Sequence, residues 1–426
     1  MNSIGIGLAG LGTVGSEVAR QLLVNKSFLE KKSGASIDLI AVSARNKTID
    51  RGVNLKSIDW CDNPEEFLNY KNINLIVELI GGSDGVAYDL CFKSLNNGRS
   101  VVTANKAMIS KHGMILSELS EKNNLSLAFE ASVAGCIPII RALRDGLSAT
   151  NVNKISGILN GTCNYILSTM RETERSFEDV LSEAQEKGFA EADPTFDVEG
   201  IDAAQKLIIL SSIAFGIVLN NKNISTTGIK DVNLIDLVFA EELGYRVKLL
   251  AISEFRNSKL IQEVSPCMVS KSNQIANVEG VLNAVEVNTD LTESVVLTGF
   301  GAGDKPTASA VLSDIISVAQ NKTPFPFGCQ TKNLIDGSGV GQKEKSKYYI
   351  RINVIDKSGV LAKVAEIFRK SELSIESLLQ RGRNPDEDVP IVITTHETDE
   401  LTLNNVIEDL IKCEELLQKP VKMKII

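Results

Sequence analysis

Histidine is almost missing from this chain: His112 and His396 are the only two in 426 residues, so a His-based nucleophile, metal site or proton relay has little to be built from. Cysteine provides no framework either. The seven residues (Cys61, Cys91, Cys136, Cys163, Cys267, Cys329 and Cys413) are odd in number and scattered without a CxxC pair, and they read as reduced thiols. An excess of positive charge is also lacking, since 45 Lys and Arg stand against 54 Asp and Glu for a formal charge of −9, which argues against a nucleic-acid partner. No apolar run reaches membrane-spanning length, and the start "MNSIGIGLAGLGTVG" lacks the basic and apolar regions of a secretory signal. The expectation is a cytoplasmic protein with no membrane partner.

What remains is the balance of an ordinary globular chain, 43% hydrophobic and 23% charged, too long for one core and therefore expected to hold two or three domains. "SIGIGLAG" reads as a β-branched, small-residue strand, and "LGTVGSEVARQLLVN" after it has helical periodicity. Glycines at Gly10, Gly12 and Gly15 stand at that junction as GxGxxG. The first permits a tight turn, the second lets backbone approach a pyrophosphate, and the third lets the helix pack closely on the sheet. The next strand, "SIDLIAVSAR", ends in Ser43, Ala44 and Arg45 where an NAD-preferring chain places a carboxylate. Arg45 suits a 2′-phosphate, so NADPH is the favoured cofactor and NADH the alternative. Strands and helices then alternate to about residue 150, with "LSLAFEASVAG" read as a strand and "CIPIIRALRDGLS" as a helix. This is the pattern of a parallel sheet wrapped on both faces.

Beyond residue 150 a strand breaks at Asn160-Gly161-Thr162 and resumes as a helix, "SFEDVLSEAQEKG" forms another, and "IDAAQKLIILSSIAFG" is a long apolar one. A second Gly-rich strand-to-helix turn lies in "VVLTGFGAGDKPTASAVLSDIISVAQ". Residues 329–346 are polar and Gly-rich and read as a linker. After them "YYIRINVID", "SGVLAKVAEIFRKSELS", "IESLLQRGR", "VPIVITTHE", "TLNNVIEDLIKCEEL" and "PVKMKII" give strand-helix-strand-strand-helix-strand, a ferredoxin-like order.

Three polar groups stand in apolar settings. Asp202 and Lys206 are four apart and share a helix face whose neighbours predict burial, and a buried Lys beside an Asp is costly without a partner or a task. Lys106 follows a strand at its carboxyl end, where ligands gather in open α/β sheets. Glu130 precedes a Gly-containing turn, and a carboxylate with nearby carbonyls suits a hard cation. Asp193, Asp197 and Glu199 read equally as a solvated capping cluster.

Six motifs in order, "GLAGLGTVG", "TANKAMI", "EASVAGCIPIIRAL", "GILNGTCNYIL", "GFAEADPTFDVEGIDAAQKL" and "GAGDKPTASAVLSD", resemble the homoserine dehydrogenase family over most of residues 1–325. "INVIDKSGVLAKVAEIF" resembles the start of an ACT domain. The resemblance implies an α/β chain with a Rossmann-type NAD(P)-binding domain at 1–135, completed by about 296–328. An α+β substrate-binding, catalytic and dimerisation domain at 136–295 and an ACT domain at 347–426 would follow. It further implies interconversion of L-aspartate 4-semialdehyde and L-homoserine. Lys206 would move the proton at the substrate oxygen with Lys106 beside it, Glu191 and Asp202 would hold the substrate ammonium, and Asp197 would support the lysine. Thr13, Val14, Arg45, Lys106, Gly188, Gly301 and Gly303 would join Gly10, Gly12 and Gly15 around the cofactor. A monovalent cation such as Na+ would sit on Glu130 and the backbone of Val133, Gly135 and Ile137. An amino acid, threonine first, would act at the ACT domain, and the chain would form a homodimer or homotetramer. Three departures stand out: Gln205 where the family often has His, Cys136 where the cation turn usually has Gly, and "SDGVAYDL" without the usual Pro-Ala.

Overall fold

Side chains from Ile4 to Ala9 are all buried in β1 (Ser3–Ala9), as a strand covered on both faces requires. The computed structural model describes residues 3–339, 341, 343–380 and 388–426. From β1 the chain runs through α1 (Thr13–Val24), α2 (Lys26–Ser33), β2 (Ser36–Ser43), β3 (Asp59–Cys61), β4 (Leu75–Glu78), α3 (Val86–Asn96), β5 (Ser100–Thr103), α4 (Lys106–Lys122) and β6 (Leu127–Ala128). The six strands form a parallel sheet in the order β3-β2-β1-β4-β5-β6. That is the Rossmann order, with the strand direction of travel switching beside β1 where the glycine turn lies. Gly10 has φ 96° and its missing Cβ would lie 2.3 Å from the Leu79 carbonyl oxygen, while a Cβ on Gly15 would lie 1.9 Å from that of Gly10. The turn therefore admits no side chain at either position.

Past β6 the structure departs from the sequence expectation. The strand read in "LSLAFEASVAG" is only two residues long, followed by a 3-10 turn at Glu130–Ser132. The helix read in "CIPIIRALRDGLS" is α5 (Ile139–Arg141) continued by a π-type turn at Ala142–Gly146. The reason is a pair of buried carboxylates. Glu130 N donates to Asp314 Oδ2 (2.9 Å), and the Glu130 carboxylate accepts from Ile140 N (2.9 Å) and Arg141 N (3.0 Å). Main chain that would have extended the sheet is folded around them.

The middle of the chain comprises β7 (Val152–Ile158), α6 (Gly161–Thr173), α7 (Phe177–Glu186), α8 (Thr195–Val198), α9 (Ile201–Phe215), β8 (Ile224–Thr226), α10 (Leu234–Glu242), β9 (Tyr245–Arg256), β10 (Lys259–Ser270), β11 (Leu282–Thr289) and β12 (Ser294–Phe300). The β9–β10 hairpin closes on Asn257 (φ 52°) and Ser258 (φ 60°), the two left-handed residues of a type I′ turn. Gly200 and Gly216, both left-handed, bracket α9. This helix packs on β9 and on α4, which brings two distant segments side by side. After β12, α11 (Asp304–Ala319) packs on α1, and Ala308, Val311 and Ile315 share a core with Ile6, Leu8 and Val18.

The segment 329–346 connects and also adheres. Thr331 donates to Glu121 from N (3.0 Å) and Oγ1 (2.7 Å). Leu260 N donates to Gly339 O (2.8 Å), Gly341 N donates to Leu260 O (3.0 Å), and Lys343 lies 3.0 Å from both Glu263 and Glu400. Val340 and Gln342 of this segment lie outside the described residues, as do residues 381–383 of the strand read in "IESLLQRGR". The tail then forms β13 (Lys347–Ile355), α12 (Val360–Lys370), β14 (Ile375–Gln380), β15 (Asp388–Thr395), α13 (Glu400–Ile411) and β16 (Val421–Ile425). Its strands stand in the order β16-β13-β15-β14, and β16 pairs with β10 (Cys267↔Lys424, Met268↔Ile425). One ten-stranded sheet thus runs from β12 through the middle of the chain into the tail. Beside the seam, Asp236 accepts from Arg351 Nε (2.7 Å), Arg351 Nη2 (3.2 Å) and the Tyr349 hydroxyl (2.7 Å), with all three side chains buried.

Candidate active site

Lys106 is placed by a chain of contacts at the ends of β4 and β5. The fully buried Glu78 accepts from Ile80 N (2.7 Å), Gly81 N (3.0 Å) and Thr103 Oγ1 (2.5 Å). Thr103 Oγ1 in turn accepts from Asn105 N (3.0 Å). Asn105 caps α4 by accepting from Met108 N (3.1 Å) and donates to Gly82 O (2.7 Å). Lys106, the next residue, therefore leaves the helix N-terminus in a set direction.

Lys206 comes from the second turn of α9, and its Nζ donates to Leu159 O (2.7 Å) and Asp202 Oδ2 (2.7 Å). The other oxygen of Asp202 lies 3.3 Å from Lys106 Nζ. Two lysines one hundred positions apart thus meet on one buried carboxylate. Asn160, the cap of α6, accepts from Cys163 N (2.8 Å) and donates to Asp202 Oδ2 (2.9 Å) and Asp197 Oδ1 (2.8 Å). Burial pushes Asp197 above the usual carboxylate value. Burial works on Asp202 in the same direction, but Lys206 and Lys106 outweigh it and hold Asp202 below its ordinary value, so it is an anion at neutral pH. Glu191 stands apart: it is exposed, its main-chain oxygen accepts from Gln185 Nε2 (3.0 Å), and among the described residues its carboxylate joins none of these contacts.

On the nucleotide side, α1 starts at Thr13 and Val14 with no side chain capping Gly12 and no acidic residue in its first turn. A Cβ at Gly12 would find nothing within 4 Å. Open donors, helix polarity and free space together fit a pyrophosphate. Arg45 is exposed just beyond β2. Sequence reasoning missed its companions: Arg51 donates to Leu11 O (3.2 Å) in the glycine turn, and Arg51 and Lys47 lie 5.4 and 5.8 Å from the Trp60 ring centre.

The chain is similar to known proteins along its length. A family model described as homoserine dehydrogenase, NAD binding domain, matches residues 10–130, one described as homoserine dehydrogenase matches 138–316, and an ACT domain model matches 348–415. A homoserine dehydrogenase of Pseudomonas aeruginosa is 41% identical, covering 100% of this chain and 99% of that protein. The chain belongs to the homoserine dehydrogenase family. A solved homoserine dehydrogenase from Thiobacillus denitrificans superposes with a TM-score of 0.92 at 37% identity, covering 100% of this chain and 99% of that one. A hyperthermophilic archaeal homoserine dehydrogenase in complex with NADPH superposes with a TM-score of 0.64 at 26% identity, covering 76% and 99%. The chain is accordingly an NAD(P)-dependent oxidoreductase with a Rossmann-type domain, a catalytic domain and a C-terminal ACT domain.

In this member of the homoserine dehydrogenase family two further loops meet after β6 and β12. Ala134 (φ 54°) and Gly135 (φ 52°) are successive left-handed residues, and a Cβ on Gly135 would lie 2.7 Å from Gly301 O. Cys136, exposed, donates from its N to Phe300 O (3.2 Å). Gly303 (φ 120°) then starts α11. Gly188 follows α7, its N donating to Gln185 O (3.0 Å), and the carbonyl of the next residue, Phe189, accepts from Thr162 Oγ1 (2.7 Å) near the start of α6. Glu130 is 3% exposed, and burial followed by repulsion from Asp314 raises its carboxyl to about 7. Its carboxylate is engaged with Ile140 N and Arg141 N, and the main-chain oxygens of Glu130 and Ile137 accept from Val133 N (3.4 Å) and Ile139 N (2.7 Å). Asn160 is the residue the sequence reading passed over. Its signal was an Asn three positions ahead of a helical run's Cys163, a capping pattern.

Proposed function

We propose that the chain interconverts L-aspartate 4-semialdehyde and L-homoserine with NADPH, Lys206 delivering and removing the proton at the substrate oxygen. The observation that carries this reading is the meeting of Lys106 and Lys206 on Asp202. The nicotinamide supplies the hydride when bound. The protein's own task is then to hold a carbonyl and move one proton to its oxygen, with no covalent intermediate. Lys206 has two of its three N–H groups fixed by Leu159 O and Asp202, which leaves one for the substrate oxygen. Glu191 and Asp202 would supply the negative charge that the substrate ammonium needs, with Asp197 supporting the lysine through Asn160, which donates to both aspartates. Arg45, with Arg51 and Lys47 nearby, favours the 2′-phosphate of NADPH over NADH, and an archaeal relative was solved with NADPH. A monovalent cation such as Na+ on the 130–137 turn, a threonine effector at the ACT domain and assembly as a dimer or tetramer complete the proposal.

The direct test is absorbance at 340 nm with NADPH and aspartate semialdehyde. No substrate-dependent loss would refute the activity. Adding threonine to the intact chain tests the effector, because removing the tail would also strip β10 of its partner β16.

A further inference from the structure

Phe196 is at odds with its surroundings. In a stretch that also holds Glu191, Asp193, Asp197 and Glu199 it is an aromatic ring left 41% exposed. The helix that carries it, α8, is a single turn mounted at both ends. Asp193 Oδ1 accepts from Thr195 N (3.1 Å), the buried Val198 accepts from Ile229 N (2.9 Å), and Glu199 pairs with Lys230 (2.6 Å). This mount sets the Phe196 ring centre 5.6 Å from Lys106 Nζ.

Lys106 needs such a neighbour. Lys206 is locked by two contacts of 2.7 Å, whereas the Lys106 side chain is 31% exposed and its ammonium reaches Asp202 only at 3.3 Å. A long side chain held by one loose ion pair keeps much of its rotamer freedom. An aromatic face within about 6 Å attracts an ammonium through its quadrupole, by about 0.5 to 2 kcal/mol depending on exposure. We propose that Phe196 is a positioning residue for Lys106, its ring face holding the ammonium beside Asp202 at the reacting centre. The proposal rests on the placement of Lys106 at that centre in the function proposed above.

The test separates a ring from mere apolar volume. Phe196→Leu keeps the bulk and removes the π face; it should lower kcat/KM by roughly 2- to 30-fold, with the KM for NADPH and the urea midpoint unchanged. Phe196→Tyr and Phe196→Trp should restore kcat/KM to within about twofold of the parent. In a Lys106→Met background, Phe196→Leu should have no further effect. A Leu variant as active as the parent, a Tyr or Trp variant as impaired as Leu, or an equal loss in the Lys106→Met background would overturn the proposal while leaving the role of Lys106 intact. A Lys106→Met enzyme with parental turnover would instead remove the lysine from the reacting centre, and the role of Phe196 with it.

Discussion

Replacing Lys206 by Met leaves the apolar stem and removes the ammonium, so it separates charge from packing. Two charge-assisted hydrogen bonds disappear, to Leu159 O and to Asp202. Each is worth about 1.5–3 kcal/mol, but Asp202 keeps Lys106 at 3.3 Å and Asn160 at 2.9 Å and is not orphaned. The expected loss of stability is therefore about 2–4 kcal/mol, at or below the cost of breaking an isolated buried pair. Catalysis should suffer more. If Lys206 carries the proton as proposed, turnover falls by about 10²–10⁴, read from 340 nm progress curves at saturating aspartate semialdehyde, with the KM for NADPH little changed. Urea unfolding of the same preparation supplies the stability arm. A variant that shows the stability loss but turns over within about tenfold of the parent would make Lys206 a structural residue and refute the mechanism.

Gly12→Ala meets no neighbour within 4 Å, so unfolding should be unchanged while the KM for NADPH rises on the order of tenfold or more, because the methyl occupies the pyrophosphate's space; unchanged cofactor affinity would place the phosphates elsewhere. Asp236→Ala strands the buried Arg351 and should cost about 3–5 kcal/mol in urea unfolding, whereas a loss under about 1 kcal/mol would show the seam to be solvated. Burial lowers Lys248 to about 8 against the pull of Glu279. The folded chain therefore releases this proton at lower pH than the unfolded chain. Its contribution is complete above the unfolded value near 10.5 and is lost as pH falls through about 8, a swing of about 3 kcal/mol. The parent-minus-Lys248→Met difference in urea stability should rise across that window, and a flat difference would contradict the assignment.

Features carried by local pattern were legible in the sequence. GxGxxG at a strand-helix junction, the four-residue spacing of Asp202 and Lys206, and the strand-helix order of the tail all appear in the structure, because backbone sterics and side-chain periodicity act over a few residues. The β9–β10 hairpin was missed although Asn257-Ser258 between two apolar runs is an I′ signal. Long-range closure was less accessible. The ion pair from Lys106 to Asp202 depends on α4 packing on α9, and the shortening of β6 depends on Asp314, which lies 184 positions beyond Glu130. Neither leaves a local trace. The engagement of the Glu130 carboxylate by the backbone N–H groups of Ile140 and Arg141 is of the same kind.

The shared sheet makes the tail part of the weave of the catalytic half. On β10, Met268 and Cys267 carry β16, while Val264 presses on Gly200 at the start of α9, leaving only 2.9 Å for a Cβ there, and accepts from Thr227 N (2.8 Å). Three residues of strand, about 10 Å, separate the docking rung of the tail from the helix that bears Asp202 and Lys206. A different domain grafted in its place would have to reproduce that rung closely, or the cap of the lysine helix would feel the misfit first.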